Sequence, residues 1–551
     1  MKRVLASPWL IAALPLAFLL AVAIAPAGRL LWEAVASEGS FGSIFWWQDD
    51  YLRWRFLWSL AQAGLTCVLS FVLGLPIAWV LARMDFPGRS AALRLLMLPF
   101  VMPTLVAAMG VLAIWGARGT PGQWLAEHGM GLGESPWLLI YGNLFFNLCL
   151  VIRAGVDGLE HVSATRVAAA RSLGASPWRA FWRVDWPAIA PWLSSALCLV
   201  FLYCFSGLGL ALVLGGHQYA TVEVEIYTLV AHELELRQAG ILAVSMLFVT
   251  GAVALVYAAI ERRLAAPGKA RPLIRLRPES LAQKLAVVGA MLSLFLVCGA
   301  PLLVIAWRAV LAMATGAGLG VLAEPQTWHA LGNTLRFTFA AVVLATLLGL
   351  LHAAAGHAID QRRSGSDAAV LGVVWRAAGY LPFVVSSVTV AFGLLLLYPQ
   401  WSASLLVLLA AYALLAYPFV ARSITAGLDS MPRQYVQAAR SLGASPWRAW
   451  RRVTLPLMLP ALRRGVAFAA ATALGEFAVT LFLSRPEWTT LTTLIYQRLG
   501  RPGEANLDAA LVLAFVLMLL ALTAFLAIEG TGRSNKRADH APASTGEGRH
   551  A

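Results

Sequence analysis

Long apolar stretches recur along the chain, separated by short polar or basic segments. Twelve of them are long enough for a helix of about 20 residues to cross a bilayer. They lie near residues 9–32, 56–82, 94–115, 137–156, 191–214, 239–260, 284–310, 333–358, 369–397, 402–421, 463–483 and 507–529. A backbone in lipid must satisfy its own hydrogen bonds, so such runs predict spanning helices. The pattern therefore predicts an all-α polytopic membrane protein, with the first span kept as an anchor.

The composition supports this class. Of 551 residues, 60% are hydrophobic and only 13% are charged, whereas soluble domains average about 25% charged residues. A water-soluble enzyme, a disordered chain and a disulfide-stapled secreted domain are thereby excluded. The five cysteines and nine histidines are scattered without the spacing of metal ligands, so we predict no metal site.

Basic residues between the apolar stretches predict the orientation. If the N-terminus is cytoplasmic, 32 of the 42 lysines and arginines fall in cytoplasmic segments. Positive charge concentrates on that side of a membrane, so we predict that both termini are cytoplasmic. The net charge of +15 then reflects membrane orientation, and no nucleic acid partner is indicated. The segment from Glu223 to Glu235 falls among the outward loops and is comparatively acidic.

A repeat divides the chain into two halves. Residues 169–180 and 438–449 are identical, AARSLGASPWRA in both places. Each copy follows the fourth span of its half, so both copies face the same side and the repeat is parallel. We predict a first half of six spans over 1–265, a cytoplasmic linker over 266–282, a second half over 283–529, and a disordered tail over 530–551.

The two repeated loops, 158–190 and 427–460, carry the strongest local signals. A helix is expected to end at Gly174 in the first copy and at Gly443 in the second, each with positive φ. A serine followed by proline then predicts a new helix start, giving a short separate helix over 178–184 that Pro187 closes. The residues expected to act together are Ala169, Ala170, Gly174, Ser176, Pro177, Trp178, Arg179 and Pro187, and their equivalents Ala438, Ala439, Gly443, Ser445, Pro446, Trp447, Arg448 and Pro456.

Two explanations fit such loops. Tryptophan and arginine suit an amphipathic helix that lies on the bilayer surface, and Arg179 and Arg448 would then bind lipid headgroups. Such a helix needs a composition, however, and not an identical sequence in both copies. Identity is what two identical partner subunits would require if each docked on one loop.

The loops resemble the EAA loop of ABC importer permeases. That pattern is E-A-A, three residues, G, nine residues, and I-x-L-P; here the Ala-Ala…Gly core and the final proline are present, while Ala168 and Gln437 replace the glutamate. The resemblance implies the type I ABC importer (MetI-like) fold in a bacterial inner membrane. It also implies a homodimeric ABC ATPase docked on the loops, a periplasmic substrate-binding protein outside, and surrounding membrane lipids.

A finer resemblance extends over most of the chain. The segments WQDDYLRWRF (47–56), FPGRSAALRLLMLPF (86–100), LFFNL (144–148), LGEFAVTLF (474–482) and TTLIYQRLG (492–500) are similar to the fused permeases of thiamine and thiamine pyrophosphate importers. Thiamine is therefore the first expectation for the substrate. The fused ferric-iron permeases share the layout with two loops and supply the alternative.

Other function classes fit less well. An ion-coupled secondary transporter also has twelve spans and a parallel repeat, but it needs no loop for an ATPase. A membrane enzyme would need a cluster of catalytic groups that the sequence lacks. None of the four lysines lies in a phosphate-binding loop. We therefore expect a transport subunit that is no enzyme and binds no cofactor, with ATP and Mg²⁺ used by its partner.

Glu476 is the candidate residue of the translocation path. The sequence places it inside the eleventh span, where a charge costs at least ~2.5 kcal/mol and must avoid lipid. One hypothesis is a wall that attracts a cation. The other is a structural carboxylate, hydrogen-bonded near a helix break at Gly475. At the repeat offset its equivalent is Gly207, so the two halves differ chemically here.

Overall fold

The computed structural model describes residues 8–36, 46–116, 119–132, 135–216, 218–264, 275–316, 318–362, 372, 374–402, 404–483 and 485–530. Helices account for nearly all the regular structure in these ranges, apart from one isolated bridge between Met84 and Leu276. Of the expected linker, 266–282, residues 266–274 lie outside these ranges, and so do residues 531–551 of the expected disordered tail, 530–551.

Within the described ranges, the first half consists of eleven α-helical segments. They are α1 (Trp9–Val35), α2 (Asp50–Arg83), α3 (Arg89–Val101), α4 (Thr104–Trp115), α5 (Thr120–Glu127), α6 (Pro136–Glu160), α7 (Ala164–Ser172), α8 (Pro177–Phe205), α9 (Leu208–Leu214), α10 (Val222–Thr228) and α11 (Leu236–Ile260).

The second half follows a similar order, with an additional short helix between its first two long helices and no α-helical counterpart of α5 in the described ranges. Its helices are α12 (Leu281–Ala314), α13 (Leu319–Ala323), α14 (Pro325–Ile359), α15 (Leu381–Val384), α16 (Ser387–Leu397), α17 (Leu405–Asp429), α18 (Arg433–Ser441), α19 (Trp447–Leu474), α20 (Ala478–Leu483), α21 (Leu491–Leu499) and α22 (Glu504–Ile528). Ser280 begins this half with a capping box to Gln283.

The expectation of twelve simple spans needs correction. Ten helices in the described ranges are long and apolar enough to cross a membrane, and α3 with α4 forms one further pair bent by 104°. The bend falls at Met102–Pro103, where proline cannot donate a backbone hydrogen bond. In the second half, α16 has only 11 residues and reaches roughly 16 Å, about half the hydrocarbon thickness.

The fifth span of each half also differs from its predicted limits. We expected apolar spans over 191–214 and 463–483. Instead, α8 and α19 begin earlier and end at Phe205 and Leu474. The remaining apolar residues form separate short helices, α9 and α20, after a break in the chain.

The two halves interlock through their first helices. Helix α1 packs against α14 and α16 of the second half, and α12 packs against α4 of the first half. A Cβ at Gly110 would meet Pro301 Cβ at 2.9 Å, and one at Gly393 would meet Pro26 Cβ at 2.8 Å. Only glycine allows approaches as close as these. The same crossing occurs twice, once for each half.

Candidate functional site: two repeated loops and a cavity between the halves

The helix before each repeated glycine ends in the same way in both loops. In the first copy, the Ala175 amide donates to Ala170 O and the Gly174 amide to Arg171 O, both at 3.0 Å. These two bonds define a Schellman motif, which needs a left-handed residue after the helix. Gly174 supplies it with φ of 81°. The positive φ expected from the sequence is confirmed.

The second loop reproduces this geometry. The Ala444 amide donates to Ala439 O and the Gly443 amide to Arg440 O, again at 3.0 Å, and Gly443 has φ of 84°. The preceding alanines also match: Ala169 O accepts from the Leu173 amide, and Ala438 O accepts from the Leu442 amide, both at 3.1 Å. Identical sequence thus produces an identical loop in two different surroundings.

The serines that follow cap the next helix, as expected. Ser176 Oγ accepts a hydrogen bond from the Arg179 amide and Ser445 Oγ accepts one from the Arg448 amide, both at 3.3 Å. Pro177 occupies the first turn of its helix, and Pro446 begins the equivalent helix. A side-chain cap of this kind stabilises a helix by about 1 kcal/mol.

The expected short helix closed by Pro187 does not exist as a separate element. Helix α8 runs without interruption from Pro177 to Phe205. Its residues Phe181–Asp185 form a π-helical turn, in which the Trp186 amide donates to Phe181 O. The wider turn accommodates the missing amide hydrogen of Pro187, so the proline lies inside a continuing helix.

Pro456 is accommodated in the same way, since a π-helical turn over Trp450–Thr454 precedes Leu455. The free-standing short helices are therefore α7 and α18, which precede Gly174 and Gly443. The long helices α8 and α19 follow them.

An apolar tip with basic neighbours marks each loop. Leu173 is 87% exposed and Leu442 is 88% exposed, and Trp178 and Trp447 are exposed as well. Arg179 and Arg448 are also exposed. Large apolar side chains so open to solvent are characteristic of a contact surface.

A cavity of about 260 Å³ lies between the two halves. Four helix breaks reach it: Met102–Pro103, Ser206–Gly207, Val385–Ser386 and Gly475–Phe477. Irregular backbone at membrane depth is tolerated where it is buried in protein or lines a cavity. Broken helices at an interface between repeats are also where transporters place substrate.

Glu476 lies at one of these breaks and not inside a span as expected. It is 8% exposed and lines the cavity. Its Oε1 accepts a hydrogen bond of 2.9 Å from the Val479 amide, at the start of α20. Its own carbonyl oxygen accepts from Thr492 Oγ1 at 3.0 Å. Glu476 thus caps a helix and lines the cavity, and both hypotheses for its role stay predictions.

Gly207 occupies the equivalent position before α9 and also lines the cavity. It has no side chain to cap that helix. The wall from the first half is therefore uncharged at the position where the second half carries a carboxylate.

The sequence reasoning missed a second carboxylate. Glu223 was assigned to an acidic outward loop, but it is fully buried in α10. Neither of its oxygens has a hydrogen-bond partner among the described residues, although Ser386 and Glu476 lie near enough to interact with it electrostatically.

Its neighbour Glu225 is buried too, in an ion pair with Arg55 Nε at 3.4 Å and with a hydrogen bond from Tyr51 at 3.0 Å. Four glutamates within 13 residues predict a solvated loop. Only the tertiary packing reveals that the first two turn inward.

Comparisons with known proteins agree with this arrangement. The family model described as "Binding-protein-dependent transport system inner membrane component" matches residues 74–266 and 369–529, one segment in each half. The chain is 28% identical over 540 residues to the thiamine transport system permease protein ThiP of Escherichia coli (strain K12), covering 94% of this chain and 96% of the relative.

Two further relatives show how the likeness is distributed. The ThiP protein of Haemophilus influenzae is 28% identical over 507 residues, which is 89% of both chains. The sulfate transport system permease protein CysW of Synechocystis is 33% identical over 181 residues, covering 33% of this chain and 65% of the relative. Likeness to ThiP extends through both halves, whereas likeness to CysW is confined to a third of the chain.

Proposed function

This chain belongs to the family of binding-protein-dependent transport system inner membrane components, and we propose that it is the permease of an ABC importer for thiamine and thiamine pyrophosphate. The observation that carries the importer mechanism is the pair of matching loops, each with the same exposed tip. Two tips of identical sequence and matching geometry suit two identical subunits, so the proposed partner is a homodimeric ATPase on the cytoplasmic side. A periplasmic binding protein would deliver the substrate.

The choice of thiamine rests on the relatives that match nearly the whole chain, which are named as thiamine permeases. Charge near the cavity supports it. Glu476 lines the cavity, and a carboxylate in the wall suits a positively charged substrate. The thiazolium ring of thiamine carries that charge. Ferric iron is also a cation and is the alternative substrate, which the uptake experiment below must distinguish from thiamine.

We infer an order of events from this arrangement. The substrate leaves its binding protein and enters the cavity, where the breaks in the helices provide polar backbone within an otherwise apolar bundle. ATP and Mg²⁺ act in the ATPase, and this chain carries no phosphate-binding loop for them. Movement of the docked loops then passes along α8 and α19, which both end beside the cavity.

Uptake measurements test the proposed substrate. A strain that lacks this chain is expected to lose uptake of labelled thiamine at trace concentration, and the plasmid-borne gene should restore it. Deletion of the ATPase or of the periplasmic binding protein should have the same effect, because none of the three can move substrate alone. Uptake of ferric iron is the control and should not change. Normal thiamine uptake with loss of iron uptake would refute thiamine and favour the alternative.

The exposed arginines test what the loops contact. With Arg179→Glu and Arg448→Glu combined, co-purification of the ATPase is expected to fall several-fold, since reversed charge at an interface opposes an acidic partner surface. Arg501→Glu, an exposed change beyond the loops, is the matched control. If the ATPase still co-purifies fully while binding to anionic vesicles is lost, the arginines contact lipid headgroups.

A further inference from the structure

Arg422 lies between the cavity and the second repeated loop. It is on α17, one turn beyond Phe419, which lines the cavity, and α17 ends at Asp429 inside the loop 427–460. At 1.5 Å per residue, the Arg422 Cα lies roughly 4.5 Å beyond Phe419 and roughly 10 Å before Asp429 along the helix axis. Arg422 is half-buried and is therefore on the side of the cavity that faces the loops.

The side chain of Arg422 joins the two halves. Its Nη2 donates a hydrogen bond to the hydroxyl of Tyr257, which is on α11 of the first half. Its guanidinium carbon lies 5.4 Å from the centroid of the Tyr257 ring and 5.1 Å from that of Tyr380, directly before α15 of the second half. The two rings contact each other edge to face at 5.7 Å. Aromatic faces attract a guanidinium at these distances. We refer to these three residues as the clasp.

Helix α11 contacts the second half at another point. Thr250 is fully buried and lies seven residues before Tyr257, hence on the same face of α11. Its hydroxyl oxygen is 2.6 Å from Val384 O, nearer than the carbonyls of its own helix, so it donates across the interface. Val384 ends α15, and its neighbours Pro382 and Val385 line the cavity. Separating α11 from the second half would therefore disturb both the clasp and the cavity wall.

A series of aromatic contacts crosses the interface on the same side of the cavity. Phe100 contacts Tyr203 at 5.6 Å within the first half and Phe468 at 6.0 Å across the interface, and Phe468 stacks on Phe419 at 6.2 Å. Tyr203 and Phe468 lie on α8 and α19, which begin in the repeated loops and end at the breaks beside the cavity. Tyr203 also lies near enough to Arg422 for an electrostatic interaction. The rings and the clasp thus connect the halves on the loop side.

The equivalent arginine of the first half makes a different contact. Arg153 corresponds to Arg422 at the repeat offset. Its Nε donates to Asp157 Oδ2 at 2.9 Å, on its own helix, and its side chain is 48% exposed. The second half has Ala426 in place of Asp157, so this pairing within one helix is lost there. The repeat alone therefore does not explain why Arg422 reaches across the interface, and Arg153 provides a matched control.

We propose that Arg422, Tyr257 and Tyr380 are a gate that holds the two halves together on the loop side of the cavity, and that substrate leaves toward the cytoplasm only after this clasp has opened. The inference rests on the proposed function for the direction of transport. One hydrogen bond and two cation–π contacts at a half-buried arginine are individually modest, which suits a contact that breaks in every cycle. Movement of the docked loops would separate Tyr203 from Phe468 through α8 and α19, and the clasp would open with them.

The test measures how fast a thiol reagent reaches the cavity from the loop side. Ser387 lines the cavity, and Ser387→Cys places a reporter thiol there. The whole importer is studied in inside-out membrane vesicles without nucleotide, and a membrane-impermeant methanethiosulfonate reagent is added outside. The readout is the rate of labelling. The same importer without Ser387→Cys is measured in parallel, so that labelling of the five native cysteines is subtracted.

Arg422→Gln removes the cation that both rings contact. In the Ser387→Cys protein we expect it to raise the labelling rate about tenfold, because both the cation–π contacts and the charged hydrogen bond are lost. Tyr257→Phe keeps the ring and removes only the hydroxyl that accepts from Arg422, so the rate should rise by about threefold. Arg153→Gln is the matched control and should label at the rate of the parent protein.

Equal labelling rates in Arg422→Gln and Arg153→Gln would overturn the gate. Rapid labelling of the parent protein would overturn it too, since the reagent would then pass an intact clasp. Should Arg422→Gln fold poorly, Tyr257→Phe decides the result, and an unchanged rate in that variant refutes the proposal. Failure of the proposed function looks different: the wild-type importer would then take up no thiamine, whereas the labelling rates involve no substrate.

Discussion

Gly443→Val is expected to abolish thiamine uptake while the protein still inserts and folds. Gly443 has φ of 84°, a conformation that costs an L-residue roughly 1–2 kcal/mol and a β-branched one more. Valine would therefore break the Schellman motif and displace the exposed tip that follows α18. The membrane core is not involved, since no atom lies within 4 Å of a Cβ at this glycine.

Two measurements and one control separate the causes. Uptake in proteoliposomes should fall by at least an order of magnitude, and the ATPase should detach or hydrolyse ATP independently of substrate. Gly443→Asn is the matched replacement, because asparagine tolerates the left-handed region and should retain much of the activity. Gly174→Val is expected to act in the same way through the other loop. Wild-type uptake by Gly443→Val with its ATPase attached would contradict docking at this loop.

The second large effect is expected at Glu476, where two variants give different outcomes. Glu476→Gln keeps an acceptor for the Val479 amide but removes the charge, so folded yield should be normal and thiamine uptake should fall at least several-fold. Glu476→Leu also removes the cap of α20, a loss of about 0.5–2 kcal/mol, and the yield of folded protein should fall as well.

The control for Glu476 is Glu487→Gln, which neutralises an exposed carboxylate of the same half. Its uptake and yield should match the wild type. Full uptake by Glu476→Gln, together with poor folding of Glu476→Leu, would leave Glu476 as a helix cap only. Full uptake by both variants would remove both roles.

The repeated loops were predictable because their signals are local. Glycine after a helix, and serine before proline, specify backbone geometry within a few residues. Both copies of the repeat therefore predict the same loop geometry. Pro187 shows the limit of this reasoning. Proline usually ends a helix, but a π-helical turn over Phe181–Asp185 absorbs it, and whether such a turn forms depends on packing outside the loop.

The cavity was harder to predict because hydropathy reflects amino-acid composition and does not show where a helix breaks. The segments around Met102–Pro103 and Val385–Ser386 are as apolar as a straight span, so they were counted as spans. Glu223 was misassigned for the opposite reason, since its polar neighbours suggest solvent. Two asparagines, Asn143 and Asn147, lie four residues apart in the apolar helix α6 and line the cavity, a signal that the sequence analysis did not use.

The unbroken course of α8 has a mechanical consequence. Its 29 residues reach roughly 43 Å at 1.5 Å per residue. One end adjoins the exposed tip at Leu173, and the other end reaches Ser206–Gly207 beside the cavity. In a continuous helix, a displacement of the end at the tip also displaces the end beside the cavity. If an ATPase docks on the exposed tips as proposed, α8 and α19 would connect each docking site to the cavity, once in each half.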